Sequence, residues 1–276
     1  MPNAERRSTP GATGELSYLA WPSPSAMTPI LYLHPVNTAA AVWEAVATEL
    51  GADRRAVAVD YRAHGRSAAG GPYYPADYAA DALAVLDASG IERAHLVCGS
   101  IGGAVAVELT AAAPGRVASI AAFGATLALG WPAETLDEVE RDLRALGVRQ
   151  WFVRHGAEIL GPAARAEAEA ELVAVAVAGR RGDRDLDTVV DVLRTTFGLA
   201  DSRPAAAAIA DPPPTRVFVG SHDPTCPPAM AHELAAALHG DVEVIPDIGH
   251  LPMLEDPLGT AAAVRAFHTA LDTVSP

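Results

Sequence analysis

Between residues 12 and 128, apolar side chains gather in short runs at 14–19, 29–33, 56–59, 94–98 and 117–123. Between these runs lie stretches in which Ala, Leu and Val recur at helical spacing, at 40–50, 76–89 and 101–113. Short runs bounded by Gly and Pro read as buried strands, and the longer periodic stretches read as helices. Their alternation predicts an α/β fold, with a mostly parallel central sheet covered by helices on both faces. From Trp131 to about Ala210 the strand signals stop, and charged helical segments such as 134–146 and 163–178 take over. Pro132, Pro162, Pro204 and the run 212–214 punctuate this stretch. It reads as a helical cap over 131–210, inserted in a core made of 11–130 and 211–276. Strands over 215–220 and 241–246 and an Ala-rich helix from about Leu258 complete that core. Residues 1–10, polar and with two prolines, read as a flexible N-terminus.

Composition narrows the function classes. A chain of 276 residues can bury one large core without being split by length alone. Net charge is −14, and all 20 basic residues are arginine, which argues against a nucleic-acid partner. An acidic surface also repels anionic substrates at long range. Cys98 and Cys226 lie far apart without metal-binding spacing, so reduced thiols and no zinc or other metal site are expected. The N-terminus lacks the apolar core of a signal peptide, and 117–131 is too short to span a bilayer, which needs about 20 apolar residues. A cytoplasmic protein without a membrane partner is the expectation, and the sequence sets no oligomeric state.

The stretch 94–105 carries the candidate chemistry: an apolar strand runs into Ser100, flanked by Cys98, Gly102 and Gly103, and then into an Ala-rich helix. A sharp strand-to-helix turn of this kind holds a serine hydroxyl clear of its surroundings and aims backbone N–H groups at the same spot. The blander readings are an ordinary tight turn or a phosphate cradle. A dinucleotide fingerprint needs G-x-G-x-x-G after an early strand, and the spacing differs. A serine nucleophile further requires a base and an orienting acid, in the order Ser, Asp or Glu, His. Asp223 follows the strand 215–220, and His250 lies on the loop after 241–246. Alone, Asp223 reads as a turn aspartate and His250 as a solvated loop histidine. Together, three suitable residues behind three strands predict a catalytic set Ser100, Asp223 and His250 at one sheet edge. The oxyanion donors expected are the backbone N–H groups of Ile101 and, because Pro35 has none, of Val36. His222 is a rival histidine beside Asp223, and Glu255 with Asp256 reads as an acidic pair at a helix N-terminus.

With these motifs, and with Asp60-Tyr-Arg-Ala-His-Gly-Arg-Ser after the strand at 56–59, the chain resembles the α/β-hydrolase family from about residue 12 to its end. Gly90 to Leu96 and the segment Gly249-His-Leu-Pro-Met-Leu-Glu look most like 3-oxoadipate enol-lactonases and their esterase relatives. The resemblance implies an α/β-hydrolase fold and a cofactor-independent serine hydrolase acting on a small ester or lactone. The same residue set also serves C–C bond hydrolysis of a diketone or ring-cleavage product, and a ligand-binding protein on this scaffold is the reading from another class. The chain has Pro35, Ala63 and Cys98 where the family usually has Gly. Asp60, Arg62, His64 and Ser67 are expected to tie their own turn together. Candidate substrate-binding residues are His34, Asn37 and Trp43 around the early loop, and Arg149, Trp151 and Arg154 in the cap, where an aromatic pair with Phe152 lies beside arginines.

Overall fold

A computed structural model describes residues 4–272. Its strands are β1 (Glu5–Gly11), β2 (Gly14–Trp21), β3 (Ile30–Leu33), β4 (Ala56–Val59), β5 (Ala94–Gly99), β6 (Val117–Phe123), β7 (Ala178–Gly179), β8 (Gly182–Asp183), β9 (Thr215–Gly220) and β10 (Asp241–Ile245). Eight of them form one sheet in the order β1-β2-β4-β3-β5-β6-β9-β10, while β7 and β8 pair only with each other. From β4 to β10 the pairings are parallel; β2 runs antiparallel to both β1 and β4.

The apolar runs become strands because both of their faces are covered. In β3, Leu31 and Leu33 meet one core cluster, and Ile30 and Tyr32 meet the other. The first cluster is closed by α2 (Pro75–Ala88), α3 (Gly102–Ala112) and, after the cap, α9 (Pro228–Ala237). The second is closed by α1 (Glu44–Leu50), α10 (Pro252–Glu255) and α11 (Pro257–Asp272). Here the stretch 40–50 divides, since 40–43 form a 3₁₀ turn before α1 begins. Within the second layer His95 of β5 stacks on His268 of α11, ring centroids 4.1 Å apart. Burial holds both imidazoles neutral, lowering His95 to about 4 and His268 to about 2.

The cap holds α4 (Ala133–Leu146), α5 (Val148–His155), α6 (Ala168–Val177), α7 (Leu186–Leu193) and α8 (Arg203–Ala208). It has its own apolar cluster, including Leu136, Leu143, Phe152, Val177 and Leu193. Two expectations need correction here. The cap is not wholly helical, because β7 and β8 form a short hairpin at Gly182, whose φ of 130° suits glycine. Its helix begins at Ala168 rather than 163, since Ala163 and Arg165 donate their N–H groups to core carbonyls of Asp247 and Glu255.

The N-terminus is the larger correction. Residues 5–10, expected to be loose, belong with Gly11 to β1 at the sheet edge, paired from Glu5 with Ala20 to Gly11 with Gly14. Side-chain burial does not drive this strand; backbone pairing does, together with Arg6. Its guanidinium donates to Ser17 Oγ at 2.7 Å and to the buried Asp60 carboxylate at 2.8 Å. The part of that expectation falling on residues 1–3 lies outside the described residues.

Candidate active site

Parallel pairing brings the C-terminal ends of β5, β9 and β10 to one edge, where each strand hands the chain to a loop. At the end of β5 the backbone turns so sharply that Ser100 has φ 55°, in the left-handed region. The turn depends on a close approach at Gly102, where a Cβ would stand 2.8 Å from the Leu33 carbonyl oxygen. Cys98 fits the neighbouring position fully buried, its thiol donating to the Ala121 carbonyl at 3.7 Å. Burial pushes that thiol's pKa up, which keeps it protonated.

Ser100 Oγ lies 3.0 Å from His250 Nε2, and His250 Nδ1 lies 3.0 Å from both carboxylate oxygens of Asp223. A carboxylate only accepts, so Nδ1 carries the proton and the Nε2 lone pair faces the serine hydroxyl. Asp223 Oδ1 also accepts from the N–H groups of Thr225 at 2.9 Å and Cys226 at 2.8 Å, which fixes the carboxylate plane. All three residues are buried, at 2%, 5% and 4% exposure for Ser100, Asp223 and His250. His222, the rival, is half exposed and faces Asp247 instead.

Above these residues lies a cavity of about 100 Å³. Pro35, Val36, Asn37, Thr38, Ser100 and His250 line its floor, and the walls come mainly from the cap, with Trp131, Trp151, Phe152, Leu193 and Phe197. Among the described residues, no basic side chain lines it apart from the imidazoles of His155 and His250. The described residues hold no group of three or more His, Cys, Asp or Glu side chains placed to bind a metal ion.

Residues 30–263 match the Alpha/beta hydrolase family. The chain belongs to it. Among solved structures, this family member is similar to an enol-lactonase from Burkholderia xenovorans LB400, with TM-score 0.82 and 24% identity over 95% of this chain and all of that one (100%). It is also similar to a thermophilic esterase from Thermogutta terrifontis, with TM-score 0.81 and 21% identity over 97% and 99% of the two chains. At these identities the likeness is one of fold. In sequence it is 36% identical over 107 residues to a protein provisionally named carbamate hydrolase RutD from Azorhizobium caulinodans. That match spans 38% of this chain and 38% of the relative's length.

Of the six residues expected to bind substrate, Asn37 and Trp151 line the cavity, beside Val36, and the other four do not. His34 is fully buried beneath the loop, its Nδ1 at 2.7 Å from the Pro35 carbonyl and its Nε2 accepting from Tyr61 N–H at 3.2 Å. Burial lowers its pKa to about 4, so it is neutral. Trp43 is part of the core, stacked on Tyr32 with 5.3 Å between centroids. Arg149 turns outward to pair with Asp183 at 2.6 Å, and Arg154 is exposed. A helix presents only one stripe inward, and in α5 that stripe is Trp151, Phe152 and His155.

The Asp60–Ser67 turn does more than tie itself together. Ser67 Oγ donates to the Asp60 carbonyl as expected, but Arg62 reaches Asp81 of α2, and His64 Nε2 accepts from the Asn37 N–H at 3.1 Å.

Three neighbours escaped the sequence reading. Glu255 is buried and accepts N–H groups from Gly249 at 2.8 Å, Leu251 at 2.8 Å and cap residue Gly161 at 2.7 Å, gripping the loop on both sides of His250. Only Asp256 plays the expected part at the start of α11, accepting from Gly259 N–H at 2.9 Å. Gly124, at φ 51°, leaves room for Asp223 and His250, since a Cβ there would stand 2.9 Å from Asp223 Oδ2. The Cys226 thiol is fully buried beside Asp223, and burial together with the Asp223 charge pushes its pKa well up. The Asp-x-x-Cys spacing, typical of a turn closed by an aspartate, was the available signal for Cys226.

Proposed function

We propose that this family member is a serine hydrolase that cleaves a small, uncharged carboxylic ester or lactone through an acyl-enzyme. One observation carries the reading: the relay from Ser100 Oγ through His250 to Asp223, each step 3.0 Å, opening into an apolar cavity. Ser100 Oγ attacks the acyl carbon while His250 Nε2 takes its proton, and Asp223 stabilises the imidazolium that forms. The tetrahedral intermediate collapses, the C–O bond to the leaving alcohol breaks, and His250 returns the proton to that oxygen. Water, deprotonated by His250, then hydrolyses the acyl-serine and regenerates Ser100.

The oxyanion is assigned to the N–H groups of Ile101 and Val36. Support for Val36 comes from the Pro35 carbonyl, which accepts Thr38 N–H at 3.2 Å and Thr38 Oγ–H at 2.7 Å on the inner side of the loop. In a trans peptide the N–H opposes the preceding carbonyl, so the Val36 N–H points outward from those bonds, and Val36 itself lines the cavity. The preference for uncharged substrates rests on the cavity wall: Arg149 and Arg154 face solvent, and no guanidinium is there to meet a carboxylate.

Treatment with a fluorophosphonate, with mass spectrometry to find the modified residue, is expected to mark Ser100, and the label should be lost in His250→Ala. Ser100→Ala should lower kcat on p-nitrophenyl butyrate by about 10³-fold or more. Ordinary turnover by Ser100→Ala overturns the mechanism, and faster hydrolysis of an anionic hemisuccinate ester than of the butyrate overturns the substrate class.

A further inference from the structure

Arg184 leaves the cap just after β8 and is buried at 6% exposure, yet no carboxylate among the described residues pairs with it. Its Nε donates to the Ala63 carbonyl at 3.0 Å and its Nη1 to Asn37 Oδ1 at 3.0 Å, while Nη2 has no partner. Desolvation lowers its pKa to about 10, so it keeps its charge at neutral pH. An isolated buried cation costs several kcal/mol, and an apolar side chain would fill the same space at less cost. A purely stabilising role therefore accounts poorly for an arginine here.

The two groups it holds have something in common. Ala63 and Asn37 are non-glycine residues at positive φ, 63° and 58°, in two turns that face each other. The turns are already joined by Asn37 N–H to His64 Nε2 and by Tyr61 N–H to His34 Nε2. Conformations of this kind are strained and persist only where surrounding contacts over-determine them. Arg184 is the cap's contribution to that over-determination. Asn37 directly follows Val36, so whatever fixes Asn37 also fixes the direction of the Val36 N–H.

We infer that Arg184 is a positioning residue for the reaction: without touching substrate, it clamps Asn37 and Ala63 together and so holds the Val36 N–H where the oxyanion forms. This rests on the function proposed above. Misplacement of a donor by a fraction of an ångström to 1 Å is felt in the chemical step, at about 10²-fold for the larger shift. Because the clamp acts on the transition state, its loss belongs in kcat rather than KM.

The test uses the full chain with Arg184→Met, Asn37→Gly and the double variant, measuring kcat and KM on p-nitrophenyl butyrate, urea midpoints and hydrogen exchange over 35–38 and 62–64. Arg184→Met is expected to fold, to lose about 10- to 100-fold in kcat with little change in KM, and to exchange faster in those two segments. Asn37→Gly, which tolerates the backbone angle but removes the acceptor, should lose a comparable factor, and the double variant no more than the worse single. Parental kcat in Arg184→Met, or losses that multiply in the double variant, overturns the inference. Asn37→Gly keeps the question decidable if Arg184→Met does not fold, since parental kcat there is equally fatal. Hydrogen exchange separates this inference from the reading it rests on. A parent inert towards esters but with exchange accelerated by Arg184→Met sustains the clamp and removes the ester reading, whereas unchanged exchange removes the clamp whatever the substrate.

Discussion

Both oxygens of the Glu255 carboxylate are taken up by backbone N–H groups, and two of the three donors, Gly249 and Leu251, flank His250. Glu255→Gln exchanges one acceptor oxygen for an NH₂ that opposes those donors. Leaving a buried donor unsatisfied costs about 1–3 kcal/mol. The variant is expected to lose that much in urea denaturation and to lower kcat more than KM, because the imidazole loses its fixed aim. Neither effect is expected for Asp256→Asn, whose carboxylate serves only the start of α11. That Ser100, Asp223 and His250 would meet at one sheet edge was legible because the strands dictate where the loops that carry them must fall. Glu255 was not, since its place five residues after His250 reads equally as the start of the next helix. His34 and Trp43 misled for a related reason. Both are close in sequence to the loop beneath the cavity, but nothing in a sequence tells which side of a loop a ring will choose, and both rings chose the core.

β3 to β6 and β9 announce themselves because burial on both faces demands unbroken apolar runs. β1 does not: Glu-Arg-Arg-Ser-Thr-Pro-Gly buries almost nothing, and antiparallel pairing at an edge asks little of its side chains. Its anchor is the long-range pair Arg6–Asp60, invisible to local patterning. Asp60 is fully buried and also accepts Ala40 N–H at 2.8 Å and Arg66 N–H at 3.0 Å, so it joins β1, the start of the 40–50 helical stretch and the 60–67 turn. Arg6→Met strips a buried carboxylate of its cation while leaving the strand's backbone bonds. The expected outcome is a loss of about 3 kcal/mol in urea unfolding. A loss below about 0.5 kcal/mol, the range of an exposed pair, would show that β1 is held by backbone pairing alone. The cap was legible as helical from its charge and prolines, and illegible in its hairpin, because a pair of two-residue strands leaves no periodicity to read.

Four of the buried imidazoles, kept neutral by desolvation, make the whole molecule acid-sensitive. Desolvation lowers His34 and His95 to about 4, His268 to about 2, and His64 well below its ordinary 6.5. Below pH 6.5 the unfolded chain takes up protons that the folded chain refuses, so stability is full above that pH and falls as pH drops. Each group contributes about 1 kcal/mol per pH unit until its folded value is reached. The urea midpoint is expected to fall steeply from pH 6.5 to 4, with His268→Phe flattening the slope; a midpoint constant over that range would contradict neutral burial. The cap takes part in this unity of the molecule in a second way. His250 N–H donates to the Ile159 carbonyl at 2.8 Å, Ala163 N–H to Asp247 at 3.0 Å and Arg165 N–H to Glu255 at 3.2 Å, so the roof is sewn by its main chain to the very loop that carries the imidazole. On the function proposed above, a displaced cap would drag away the loop that holds His250 against Ser100, so a serine laid open to stray electrophiles would already be without its base.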